Sequence, residues 1–144
     1  MTLGLTLFLQ TILFSDLWAF TVVETKNFRE GSLTLKIEVQ VSGRGNLKKG
    51  PLIMSSLKVK IKNEKAGSEN LKVKTIRVYA QPNVYLDLET RGYSVSPRQW
   101  VTKFYRLKKS KQFILNENGY IEIAFENFTI LFNPRDRNFQ GPLK

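Results

Sequence analysis

Catalytic side chains are scarce in this chain. It has no His and no Cys. Without imidazole it lacks the usual general base, the usual zinc ligand and any Ser-His-Asp triad. Without a thiol it has no disulfide framework and no thiolate metal site. Asp, Glu, Lys and Tyr remain. Asp occurs only as Asp16, Asp87 and Asp136, and no pair of carboxylates stands out for general acid–base work. The expectation is a non-enzyme, with no cofactor, no metal and no small-molecule substrate.

The basic residues are the more informative set. Lys and Arg number 23 against 12 Asp and Glu, a formal net charge of +11. Lys58, Lys60 and Lys62 alternate with Leu57, Val59 and Ile61, and Lys72 and Lys74 alternate with Leu71 and Val73. That spacing sets five lysines on the outward faces of two strands, expected to be neighbours. Arg106, Lys108, Lys109 and Lys111 form a second cluster. One reading is solubility and edge protection, since lysines on exposed strands block unwanted pairing. The other is attraction to an anionic partner: an acidic glycan, teichoic acid or phospholipid headgroup, extracellular DNA, or an acidic neighbouring filament. Specific nucleic-acid binding requires aromatics interleaved on the same face. Tyr85, Tyr93, Tyr105 and Tyr120 are at hand, but the pattern does not assign their faces.

Two further positions carry two readings each. Asn127-Phe128-Thr129 is an N-glycosylation sequon if the chain is exported, or else an Asn in a turn between two apolar runs. Trp100, in a segment with Val101, Phe104 and Tyr105, is expected in the core rather than on a ligand platform.

The elements that position these residues read as strands. Leu33, Leu35, Ile37, Val39 and Val41 alternate with polar residues, as do Val84, Leu86 and Leu88. Strict period-two alternation predicts strands with one buried and one wet face. The phase changes at Thr75, between Leu71/Val73 and Ile76/Val78, which predicts a bulge or a crossing between sheets. Turn chemistry separates the runs at Ser42-Gly43-Arg44-Gly45-Asn46, Gly50-Pro51, Ala66-Gly67-Ser68, Gln81-Pro82-Asn83, Arg91-Gly92, Ser96-Pro97 and Asn116-Glu117-Asn118-Gly119. Asn118-Gly119 between apolar runs predicts a hairpin. Many short strands with regular turns predict an all-β fold, a jelly-roll or immunoglobulin-like β-sandwich preceded by a short hydrophobic N-terminal segment. From about residue 133 the tail reads as coil, with Phe139 as its single apolar anchor.

Residues 1–19 read as that hydrophobic segment, and 20–144 as the sandwich. No Lys or Arg occurs in the first 25 residues, and Leu3 to Phe14 is apolar. The run matches a signal-peptide core and falls short of the ~20 residues that span a bilayer. Cleavage after Ala19 makes an extracellular or cell-surface protein. An uncleaved segment makes a membrane-anchored or assembly element, and a soluble intracellular chain is the third reading.

Trp18-Ala19-Phe20, then Glu24-Thr25-Lys26-Asn27-Phe28, then Gly31-Ser32-Leu33-Thr34-Leu35 resemble the start of the TasA/camelysin family, which includes archaeal bundling pilins. Leu57 to Asn63, followed by Gly67-Ser68 and Leu71-Lys72-Val73, is similar to that family's strand, turn and next strand. The resemblance implies a subunit of an extracellular filament, pilus or biofilm-matrix fibre. Such a subunit polymerises with itself, head-to-tail, by donor-strand complementation through its N-terminal segment. It implies Phe20 and Val22 as anchors on one face of the donor strand, with Val23 opposite and Glu24 in the same segment. The alternative is that residues 20–25 form the chain's own first strand.

Overall fold

The computed structural model describes residues 18–64, 70–108 and 112–144. The apolar leader up to Leu17, the Ala66-Gly67-Ser68 turn, Lys109 and Lys111 lie outside the described residues. Among the described residues every regular element is a strand: β1 (Ala19–Glu30), β2 (Leu33–Gly45), β3 (Leu52–Asn63), β4 (Leu71–Gln81), β5 (Val84–Glu89), β6 (Tyr93–Val95), β7 (Trp100–Arg106), β8 (Phe113–Leu115), β9 (Tyr120–Phe125), β10 (Thr129–Asn133) and β11 (Asn138–Leu143).

These strands form two antiparallel sheets, packed as the β-sandwich that the alternation predicts. Sheet A has the order β1-β2-β3-β7, and β8 continues the β7 position along the other end of β3. Sheet B has the order β11-β10-β9-β4-β5, with β6 beside the other end of β4.

Period-two alternation places the core. Leu35, Ile37, Val39 and Val41 of β2 are buried against Ile76, Val78, Ile121, Ile123 and Ile130 of sheet B. Each such side chain contributes about 1.5–3 kcal/mol on leaving water. The phase change at Thr75 is a bulge. The β4–β9 register shifts between Val73 and Thr75, and Leu71, Val73, Ile76 and Val78 therefore all face inward. A second bulge lies in β3 against β2, where Ser42 pairs with Ser56 and Gly43 with Met54. The extra residue, Ser55, accepts a backbone bond from Leu107 at 2.9 Å and donates its hydroxyl to the Ser42 carbonyl at 3.1 Å. A Cβ on Gly43 would lie 1.9 Å from the Ile53 carbonyl oxygen, so only glycine fits there.

Three expectations are corrected. Asn118-Gly119 does not close a hairpin. The Asn116–Gly119 turn, with its 2.9 Å Gly119 N–H to Asn116 carbonyl bond, carries the chain from β8 in sheet A to β9 in sheet B. The flanking apolar runs are buried across the core from one another rather than in one ladder. The tail is not coil. Asn133 Oδ1 accepts the backbone N–H of Arg135 at 2.9 Å and of Asp136 at 3.2 Å, which turns the chain back into β11. Phe139 is buried in its own chain, 4.6 Å from the Phe132 ring and 5.6 Å from Phe28. Third, Lys58–Lys62 and Lys72/Lys74 are not on neighbouring strands, because β3 and β4 belong to opposite sheets.

Arg135 ties the β2–β3 loop to this turn. Its guanidinium donates to the carbonyls of Asn46 at 3.1 Å, Leu47 at 2.9 Å, and Gly50. Three carbonyls of one loop thus converge on a single planar donor.

Candidate functional site: the outer face of sheet A

The alternation that buries one face of sheet A leaves the other in solvent. Pairing between β2, β3 and β7 sets the outward residues in three rows: Gln40-Lys58-Phe104, Glu38-Lys60-Thr102 and Lys36-Lys62-Trp100. Arg106 follows opposite Ser56. Trp100 is 41% and Phe104 51% exposed. A rail of lysines on β3 therefore runs beside a rail of rings on β7, about 4.8 Å apart as neighbouring strands are.

Cations and rings touch. Lys60 Nζ lies 5.0 Å and Lys62 Nζ 6.0 Å from the Trp100 centroid, and the Arg106 guanidinium carbon 5.6 Å from that of Phe104. Glu38 is the one carboxylate in the three rows and sits 3.5 Å from Lys60. Lys36, Lys58, Lys62 and Arg106 have no carboxylate directly across the ladder.

Sheet B carries a different outer face. Lys72 faces Glu126 at 3.9 Å, and Arg77 is bound to Asp87 at 2.5 Å. Tyr79 stacks on Tyr120 at 4.8 Å and lies 5.3 Å from Tyr85, whose ring the Arg77 guanidinium covers at 4.7 Å. The hydrogen bonds to Tyr79 and Asp87 push the Arg77 pKa up. Burial, more than the nearby Tyr79 and Glu122, pushes the Tyr120 hydroxyl up. Lys72 and Arg77 are thus matched by acids and, among the described residues, Lys74 is the exposed β4 cation with no ion pair, so this face offers less free positive charge than sheet A.

The remaining tyrosines point between the sheets. Tyr105 donates its hydroxyl to Glu89 Oε1 at 2.7 Å, and Lys103 lies 5.0 Å from the Tyr93 ring. Burial raises the Tyr105 pKa most, followed by the bond to Glu89. Burial, then the Glu89 charge, raises that of Tyr93.

The structure thus groups Lys58, Lys60, Lys62 and Arg106 and separates Lys72 and Lys74 from them. Lys108 is exposed just beyond β7, and Asn127 is exposed in the β9–β10 bend. None of the four tyrosines lies on the lysine face. Trp100 and Phe104 do, and Trp100 is on the surface rather than in the core. Their position was hidden because β7 has no clean polar phase: Trp100, Thr102, Phe104 and Arg106 face out, while Val101, Lys103 and Tyr105 face in.

Residues 20–25 pair in cis. All of β1 is laddered to β2, from Ala19 opposite Arg44 to Glu30 opposite Leu33. Phe20 and Val22 are buried, Val23 is 44% exposed, and Glu24 lies 4.0 Å from Arg137. At the start of β1 an apolar cleft of about 480 Å³ is lined by Trp18, Phe20, Leu47 and Lys48, among others.

Comparison with family models, curated proteins and solved structures finds no match to this chain. The likeness to the TasA/camelysin family rests on the motifs quoted above.

Proposed function

We propose that this protein is an exported, non-enzymatic β-sandwich binding module, secreted or membrane-anchored, whose sheet A face takes up an anionic polymer. The observation that carries the reading is the contrast between the two outer faces. Sheet A presents Lys58, Lys62 and Arg106 with no acid directly across the ladder, beside exposed rings and with Lys60 alone paired to Glu38, whereas sheet B's Lys72 and Arg77 are paired with Glu126 and Asp87. Desolvating such a face against a polyanion releases counterions and gives strongly salt-dependent binding. Export is supported by the apolar run Leu3–Phe14 alone.

The test is retention on an immobilised polyanion across a salt gradient. The triple variant Lys58→Gln/Lys60→Gln/Lys62→Gln is compared with a variant of equal charge change on other surfaces, Lys48→Gln/Lys72→Gln/Lys74→Gln. The first is expected to elute at much lower salt and the second close to wild type. Equal shifts in both would reduce the effect to net charge and sink the reading.

A second reading is favoured by one feature of β1. Among the described residues it is both the first strand and the edge of sheet A, pairing with β2 and no other strand. Its ladder with β2 is therefore exchangeable between copies without altering any other pairing; reciprocal exchange closes a dimer, and exchange passed head-to-tail from copy to copy is open-ended. This supports a self-assembling extracellular filament subunit, as the family resemblance implies. Negative-stain electron microscopy of the natively purified protein tests it: filaments support it, and monodisperse particles at all salt concentrations exclude it.

A further inference from the structure

The rings on the sheet A face are not explained by charge. A polyanion gripped only electrostatically needs Lys and Arg and gains nothing from an indole and a phenyl kept in water. We propose that the ligand of this face is a single-stranded nucleic acid, its bases stacked on Trp100 and Phe104 and its phosphates on the lysines of β3. The proposal rests on the binding reading above and names its ligand.

The layout matches the two sides of a nucleic-acid strand. Bases project from one side of its backbone and phosphates run along the other. Here the rings stand on β7 and the lysines on β3, with Trp100 directly opposite Lys62 and Phe104 directly opposite Lys58. Base–aromatic stacking is sequence-tolerant because every base has a π-face, and a positively charged track beside the rings follows the backbone.

Spacing selects a single strand. Four residues of strand place the two rings about 13 Å apart. Neighbouring stacked nucleotides rise only about 3.4 Å. Bases on Trp100 and Phe104 are therefore splayed apart rather than stacked on each other, and Thr102 between the rings leaves the platform low. A duplex keeps its base faces inside and offers this surface only phosphates.

The resting contacts supply the exchange. Lys60 and Lys62 lie over the Trp100 ring at 5.0 and 6.0 Å, and Arg106 over Phe104 at 5.6 Å. An incoming base displaces each cation from the ring. The cation then meets the phosphate of the same nucleotide, so stacking and charge pairing form together.

The experiment is fluorescence anisotropy with three probes at matched salt: a labelled 20-mer of oligothymidylate, a labelled 20-base-pair duplex, and unlabelled polygalacturonate as competitor. Trp100→Leu and Phe104→Leu remove the rings but keep an apolar strand residue, and circular dichroism checks that each variant is folded. The expected result is that the single strand binds at least tenfold tighter than the duplex. Each ring variant is expected to weaken the single strand about tenfold and leave the duplex unchanged. Equal binding of single strand and duplex, with the ring variants silent, would overturn the nucleic-acid assignment and leave a purely electrostatic polyanion face. Tighter, ring-dependent binding of polygalacturonate would overturn it in favour of an acidic glycan. No binding of any probe at low salt would remove the polyanion reading itself.

Discussion

Lys60 is shared between Glu38, 3.5 Å from its ammonium, and the ring of Trp100, whose centroid is 5.0 Å away. Both partners are half-exposed neighbours on the sheet A surface, so neither contact contributes much to stability. An exposed ion pair is worth about 0–1 kcal/mol and an exposed cation–π contact about 0.5–1. What the arrangement does is place one ammonium at the rim of an aromatic surface and partly neutralise it with the one carboxylate in the three rows.

Glu38→Gln is therefore expected to strengthen polyanion binding. It frees Lys60 and removes the acid from the rows, while leaving a side chain of the same size. The association constant should rise several-fold. The slope of its logarithm against the logarithm of salt concentration should steepen by roughly 0.7 for a single-stranded ligand. Thermal stability should change by less than about 0.5 kcal/mol. Titrations at four salt concentrations check both numbers, and an unchanged slope would place the ligand elsewhere.

Arg135 is expected to matter for stability rather than for binding. Its guanidinium satisfies carbonyls of Asn46, Leu47 and Gly50 in the loop between β2 and β3. Hydrogen bonds to a charged donor are each worth about 1.5–3 kcal/mol, and lost partners leave part-buried acceptors unsatisfied. Arg135→Ala should cost about 2–4 kcal/mol and lower Tm by roughly 5–12 °C. Arg135→Lys should recover only part, because a single ammonium cannot reproduce the planar fork. Urea denaturation followed by circular dichroism measures both, and polyanion affinity of the folded variants should stay at the wild-type value.

The contrast between these two sites shows what the residue pattern carries. Alternation in β2 and β3 states which side chains turn inward, and the phase change at Thr75 marks a real bulge. Alternation does not state which strand lies alongside which, so lysines of β3 and β4 read as one surface although they lie on opposite sheets. The partner of β3 in sheet A is β7, which lies far along the chain, with β4, β5 and β6 of the other sheet between them in sequence.

 That is, 37 residues lie between Lys62 and Trp100 in the sequence, yet the two face each other across one ladder. In β7 both phases mix polar and apolar residues, so Trp100 reads as core while it stands in solvent. Arg135 has no pattern at all to announce it, because its acceptors are backbone carbonyls, which every residue has.

High pH is expected to loosen the contact between the sheets at Tyr93 and Tyr105. Burial lifts both hydroxyls above the ordinary value of 10, and in Tyr105 the bond to Glu89 lifts it further. A raised pKa in the folded state means that the unfolded chain loses these protons first. Between the unfolded value and the folded one the unfolded state binds fewer protons, so stability is complete below pH 10 and falls as pH rises beyond it. Tyr105→Phe cannot lose that proton and should show a shallower fall. Urea midpoints from pH 8 to pH 11 measure the difference between the two proteins, which cancels the titration of lysines common to both. Parallel curves would mean that Tyr105 ionises as freely when folded as when unfolded.

The absence of Cys makes the pairing of β1 directly testable. Val23 and Gln40 are opposite each other in the β1–β2 ladder, and both side chains lie on the outer face of sheet A. Opposed residues of antiparallel strands are about 4.5–5.5 Å apart at Cα, within the range that a disulfide bridges. Val23→Cys/Gln40→Cys should therefore oxidise without distorting the fold. If β1 stays with its own β2, the product runs as a monomer on non-reducing gels at every protein concentration. If β1 of one copy occupies the β2 edge of the next, oxidation of the assembled sample gives a ladder of covalent multimers that collapses to monomer on reduction. We expect monomer in dilute solution, as the cis ladder requires. A ladder appearing only in samples that contain filaments would show that the same twelve-residue pairing has been exchanged between copies.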